Sequence, residues 1–138
     1  IVGQCGQVLA PARPGDHDWY LEFFAAAETI PLSAIHKGVN FTWESIAEYL
    51  EALSQRRGVN VGALVGHSGI RLYVMGEASS QRAEATPEEL VAMQRLVREG
   101  MQAGALGFRG LRAAGTNACA DASSCDVGGT LEIMVITD

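Results

Sequence analysis

The sequence predicts an α/β fold in which strands and helices alternate as parallel βα units. Three features carry that expectation. The run Val59-Asn60-Val61-Gly62-Ala63-Leu64-Val65 is nearly all apolar, as a strand covered on both faces is. Thr86-Pro87-Glu88-Glu89 has capping-box spacing with proline at the first helical position, and Leu90, Met93, Leu96, Val97 and Met101 follow as one apolar stripe. Gly104 then ends that helix immediately before a second short apolar run, Ala105-Leu106-Gly107-Phe108.

Taken in order, Val2-Gly3-Gln4-Cys5-Gly6 reads as a buried strand giving way to a glycine-rich turn. Pro11-Ala12-Arg13-Pro14-Gly15 is a breaker-rich loop, and Asp16 is placed to cap a helix carrying Trp19, Tyr20, Phe23, Phe24 and Ala27 on one face, which is expected to be core. Residues 28–41 read as irregular, punctuated by Pro31 and Gly38. Thr42 is expected to cap a second helix, with Trp43, Ile46, Ala47, Leu50 and Leu53 at helical spacing and Arg56-Arg57-Gly58 closing it. The strand at 59–65 delivers Gly66-His67-Ser68-Gly69 to its end, and a short helix over Ile70–Met75 precedes the capped one. From Arg109 to Gly129 small and polar residues show neither helical nor alternating period, and Leu131–Ile136 regains strand character. Residues 1–108 therefore read as part of one domain and 109–138 as an irregular tail. A barrel and a doubly wound sheet would both produce this rhythm, and no repeat of 20 to 50 residues occurs.

Composition narrows the function classes. With 48% hydrophobic and 19% charged residues in 138 the chain is globular in type, and it has no apolar run approaching the roughly 20 residues that cross a bilayer. The net charge is −6 and the nearest thing to a basic cluster is Arg56-Arg57, which argues against nucleic acid or a membrane surface as partner. Three cysteines do not make a disulfide framework, and no signal-peptide pattern is present, so a cytoplasmic setting is expected. The chain opens at Ile1, inside a strand and without an initiator methionine, and is expected to be an internal segment of a longer protein.

Two residues stand at strand ends, where parallel sheets host chemistry. Cys5 is either a small buried hydrophobe or a thiolate metal ligand. His67 either lines the mouth of the sheet, binding substrate or supporting a metal ligand, or satisfies a carbonyl and caps the next helix. Arg71 reads as a helix-surface residue, with a carboxylate clamp as the alternative. Asp16, His17 and Asp18 are adjacent and share no helix face, so an acidic first turn accounts for them. His36 is expected to be solvated. Cys119 and Cys125, six apart and without a second pair, read as inert thiols.

Several blocks in order resemble the N-acyl-D-amino-acid deacylases, D-aminoacylase-like members of the amidohydrolase superfamily. They are Val2-Gly3-Gln4-Cys5-Gly6, Ala10-Pro11-Ala12-Arg13-Pro14, Asp16-His17-Asp18-Trp19, Trp43–Leu50, Gly66–Gly76 and Glu99–Phe108. The resemblance implies a zinc-dependent (β/α)8 barrel, of which this chain would hold about βα units 2–4, hydrolysing the amide of an N-acylated D-amino acid by attack of metal-activated water. It implies that Cys5 is a zinc ligand, at the position of the cysteine in the family's Asn-Cys-Gly turn. Gln4 stands here in place of the Asn. The other ligands and the catalytic aspartate would lie outside this chain, so the chain alone is expected to bind zinc weakly or not at all and to be inactive. After Phe108 the likeness stops at Arg109-Gly110-Leu111-Arg112, which a shift of reading frame there would explain. The competing expectations are a non-catalytic α/β module that binds a small molecule beside His67, and a truncated gene product.

Overall fold

The computed structural model describes residues 1–4, 6–55, 58–76, 78–81, 84–112 and 130–134. After a 3-10 turn at Pro14–Asp16 come helices α1 (His17–Ala27), α2 (Leu32–Gly38) and α3 (Ile46–Ser54), then β1 (Val65–Gly66), α4 (His67–Met75), α5 (Ala78–Gln81), α6 (Pro87–Gln102), β2 (Phe108–Arg112) and β3 (Thr130–Met134). The fold is α/β. β1 and β2 are parallel with Val65 opposite Phe108, and Val2 makes a parallel bridge to Ala63 on the other side. Three parallel segments thus lie side by side in chain order, each pair joined through helices. β3 runs antiparallel to β2, with Arg109 opposite Ile133, so the sheet is mixed where the resemblance implied parallel strands alone. β2 also continues through Arg112, past the boundary drawn from the sequence at 108/109.

The capped helix is as expected. In α6 the Thr86 hydroxyl accepts from Glu89 N while the Glu89 carboxylate accepts from Thr86 N, satisfying two amides that the first turn would otherwise leave unpaired. The second helix starts later than expected, at Ile46, because Ser45 and Glu48 form the same reciprocal box. Thr42 has no acidic partner three residues on, and the Trp43 indole is tied to Leu9 O at 2.6 Å, which holds residues 41–44 outside the helix. Residues 28–41 are not wholly irregular. Pro31 and Gly38, read as loop punctuation, mark the start and last residue of α2, whose Ile35 is buried. The expected strand at 59–65 is short, because Val2 pairs with it only through Gly62 O and Leu64 N, and Val59 is exposed. Arg56 and Arg57, expected to close α3, lie outside the described residues.

The core lies between the sheet and the helices, around Trp43, Ile46, Val65, Ile70, Met93 and Ala105. Gly100 lets α6 come close: a Cβ there would sit 2.7 Å from Val65 Cγ2 and 3.0 Å from Ile46 Cδ1. Burial of an intact apolar side chain stabilises by about 1.5–3 kcal/mol, which outweighs the weak helix propensity of that glycine.

Candidate functional site

The ends of the parallel segments meet at one place. Gly3 and Gly6 have φ of +87° and +79°, and Gly6 N donates to Gly3 O at 3.0 Å, so the backbone reverses between them at angles that glycine adopts without strain. The returning chain lies against the β1–α4 junction: a Cβ on Gly66 would be 2.5 Å from Gly6 O and 2.6 Å from Val8 Cγ2. From the other side, a Cβ on Gly110 would be 3.7 Å from His67 Cβ. The turn after the first segment, the start of α4 and the middle of β2 are therefore neighbours. Cys5, the predicted metal ligand, lies outside the described residues, between Gln4 and Gly6, which are described.

His67 is the first residue of α4 and half-buried, its ring edge-on to Phe108 with centroids 6.2 Å apart. Burial, with the Arg71 guanidinium as second cause, pulls the imidazole below its ordinary pKa. A neutral imidazole carries one donor and one acceptor nitrogen, so His67 can hydrogen-bond an amide or accept a proton. No side chain caps the N-terminus of α4, and the Gly66 side of the junction is filled by the returning backbone.

Beside His67 a cavity of about 620 Å3 opens between α1 and α4. Trp19, Phe23 and Phe24 form one wall, whereas Ser68, Arg71 and Leu72 line the opposite side. This corrects the expectation that the whole aromatic face of the first helix is core. Tyr20 and Leu21 carry the burial, Phe23 and Phe24 are half-buried, and Trp19 is 49% exposed. Tyr20 is held by a hydrogen bond from its hydroxyl to Pro11 O at 3.1 Å, and burial raises its pKa strongly. That bond turns the helix so that Trp19 and Phe23, stacked at 5.2 Å and 8°, look into the cavity.

The loop that feeds α1 is clamped to α4. Arg13 Nη2 donates to Tyr73 O at 2.6 Å, and the Tyr73 hydroxyl donates to Glu44 Oε1 at 2.7 Å, which raises the Tyr73 pKa. Ala12 N donates to Glu44 O at 2.9 Å, so the loop before α1 and helix α4 both meet Glu44. Arg71 lines the cavity and donates from Nε to Ser79 O at 3.4 Å, tying α4 to α5.

The remaining histidines do not join the site. His17 stacks on Phe41 at 3.9 Å, its Nε2 buried without a hydrogen-bond partner, and Asp18 points to solvent. His36 is exposed on α2, where a loop position was expected. Cys119 and Cys125 lie outside the described residues. Among the described residues no group of three or more His, Cys, Asp or Glu could hold a metal ion, and no helix is long and apolar enough to cross a membrane.

No protein-family model and no solved structure matches the chain. Known proteins do. It is 37% identical over 109 residues to the D-aminoacylase of Alcaligenes xylosoxydans xylosoxydans, a stretch covering 78% of this chain and 20% of that protein. It is 36% identical over 110 residues to the N-acyl-D-glutamate deacylase of the same organism, covering 78% of this chain and 19% of the relative. An uncharacterised protein of Mycobacterium tuberculosis is 36% identical over 119 residues, covering 83% of this chain and 19% of its own length. The chain thus spans about a fifth of the length of the curated relatives it matches.

Proposed function

The chain belongs to the D-aminoacylase-like family of N-acyl-D-amino-acid deacylases, and on that premise we propose that it forms part of a cytoplasmic hydrolase that cleaves the amide of N-acyl-D-amino acids or a related small molecule. The observation that carries this reading is that the Gly3–Gly6 turn and His67 meet at one end of side-by-side parallel segments, beside Gly110 of β2, and such folds keep their active sites at strand ends. The chain-order pairing of those segments through helical crossovers supports a partial (β/α)8 barrel, about βα units 2–4, with residues 1–108 as its domain portion. The antiparallel β3 is not an element that a parallel barrel requires.

In this reading Cys5 supplies a thiolate ligand to zinc. The described residues do not make a complete zinc centre, since no three candidate ligands come together and zinc takes three or four from the protein. In the same reading the remaining ligands and the catalytic aspartate lie in the four fifths of the whole enzyme that this chain does not span, so the chain alone is expected to be inactive. When bound in the whole enzyme, the ion would supply Lewis acidity to the scissile amide. The chain's own contribution is to pack Gly6 and Val8 against Gly66 and to present a neutral His67 that hydrogen-bonds the substrate.

A chimera tests it. Replacing the aligned 109-residue stretch of the Alcaligenes D-aminoacylase with this chain should preserve deacylation of an N-acetyl-D-amino acid, and Cys5→Ala should abolish activity and zinc content together. A folded chimera whose rate and zinc content survive Cys5→Ala would sink the ligand assignment. Deacylation by the purified 138-residue chain would refute its predicted inactivity.

A further inference from the structure

Trp19 and Phe23 give the cavity between α1 and α4 a flat wall. Their rings are stacked at 5.2 Å and 8°, and Trp19 keeps 49% of its surface open although an indole is among the larger apolar groups to leave wet. The volume, about 620 Å3, suits a small molecule, for which sites of roughly 300–1,000 Å3 are usual. The charged groups that border the cavity are committed elsewhere. Arg13 donates to Tyr73 O and lies over the Tyr73 ring, 5.4 Å from its centroid, and Arg71 donates to Ser79 O and makes a further interaction. Asp16 sets a negative charge beside them. Among the described residues the rest of the polar lining is uncharged: the Ser68 hydroxyl, side-chain amides, and His67, whose imidazole burial holds below its ordinary pKa.

We propose that this cavity binds an uncharged, planar heteroaromatic lactam, with its ring laid on Trp19 and its N–H and C=O edge hydrogen-bonded to His67 and Ser68. A planar ring covers the exposed indole face, and stacking adds to what burial of that face contributes. A lactam edge sets one donor beside one acceptor, which matches an imidazole carrying one of each and a hydroxyl that turns to either role. A carboxylate gains less here, since both guanidinium groups already serve carbonyl acceptors and the Asp16 carboxylate repels it. The assignment rests on the walls of the cavity and stands apart from the hydrolase reading, because an N-acyl amino acid is neither planar nor uncharged. Free bases and the bases of nucleosides share this chemistry, and a riboside separates the two sources.

The test is ligand-observed NMR titration of the purified chain with carbostyril, a neutral bicyclic lactam, alongside N-methylcarbostyril, δ-valerolactam and quinaldate. Carbostyril should bind most tightly. N-methylation removes the edge donor and should weaken binding about tenfold, as should δ-valerolactam, which keeps the edge without an aromatic plane. Quinaldate keeps the plane but carries a carboxylate, and should also bind more weakly. Trp19→Ala should weaken carbostyril binding about tenfold, whereas Trp19→Phe keeps a ring on the wall and should stay within about threefold. Trp19 is half-exposed, so neither change threatens the core. Hypoxanthine binding more tightly than its riboside inosine would assign the site to free bases, and the reverse order to nucleosides; both support the proposal. Absence of carbostyril binding, equal affinity for any of its three analogues, or Trp19→Ala binding carbostyril as tightly as Trp19→Phe would overturn it.

Discussion

Replacing Gly66 with alanine isolates the contact that brings the Cys5-bearing turn to the start of α4. The backbone of Gly66, at φ −94° and ψ 130°, is open to any residue, so alanine incurs no dihedral strain and gains about 0.4–1 kcal/mol through a less flexible unfolded chain. Against this, the new methyl would stand 2.5 Å from Gly6 O, 2.6 Å from Val8 Cγ2 and 3.1 Å from Gly6 C. Two of those atoms are backbone, and the carbonyl must retreat by about 0.8 Å to reach ordinary contact. Overpacking of that kind costs about 1–3 kcal/mol, and the net expectation is a loss of about 1–2 kcal/mol. For a chain of this size that lowers Tm by roughly 3–8 °C. Gly100→Ala is the matched control. It adds the same methyl inside α6, where alanine gains about 1 kcal/mol of helix propensity to set against the crowding of two buried side-chain methyls, Val65 Cγ2 and Ile46 Cδ1. Its stability should change by less than about 1 kcal/mol. Urea unfolding of the three proteins, at constant m, measures both effects. If Gly66→Ala is as stable as the parent chain, or more stable than Gly100→Ala, the inferred packing of the turn on the β1–α4 junction is incorrect.

Thr86→Ala removes the hydroxyl that accepts from Glu89 N and should cost about 1 kcal/mol in the same denaturation assay, with Thr86→Ser retaining most of it. Tyr73→Phe breaks the hydroxyl bond to Glu44 Oε1 and should cost about 0.5–1.5 kcal/mol. A double-mutant cycle with Glu44→Gln checks that the two residues act through each other, and strict additivity would deny it. His67, with its folded pKa below the unfolded value near 6.5, binds fewer protons folded than unfolded. Its contribution to stability is therefore complete above about pH 6.5 and is lost as pH falls through the folded pKa. His67→Gln should flatten that part of the stability–pH curve, as followed by urea midpoints between about pH 4 and 7; an unchanged slope would contradict a buried, neutral imidazole.

What the sequence disclosed about the fold follows the range of the forces involved. The α6 cap was legible because both of its partners lie within three residues, and no tertiary contact is needed to read it. The later start of α3 was equally legible in Ser45 and Glu48, but Thr42 was the more conspicuous candidate by position. Bonds from distant residues, Trp43 to Leu9 O 34 residues away and Ala12 N to Glu44 O, hold residues 41–44 outside the helix. The shortness of the strand at 59–65 was not legible at all. An apolar run states that a segment is covered, whereas its length as a strand depends on partners, and Val2 offers one bridge.

The site divides in the same way. The position of His67 was legible because it follows a buried strand, and the structure places it as the first residue of α4, directly after β1. The cavity beside it was missed because helical spacing groups Trp19, Tyr20, Phe23 and Phe24 as one apolar face, with nothing local to say which of them the neighbouring elements cover. Tyr20 decides it: its hydroxyl must be paired once buried, and the carbonyl of Pro11 is what the preceding loop provides. That one polar requirement sets the rotation of α1, draws Leu21 into the interior and leaves Trp19 and Phe23 facing the space before Arg71 and His67. An aromatic face read as core is thus divided between packing and a cavity wall, with a hydrogen bond that no hydrophobic pattern encodes fixing the buried part.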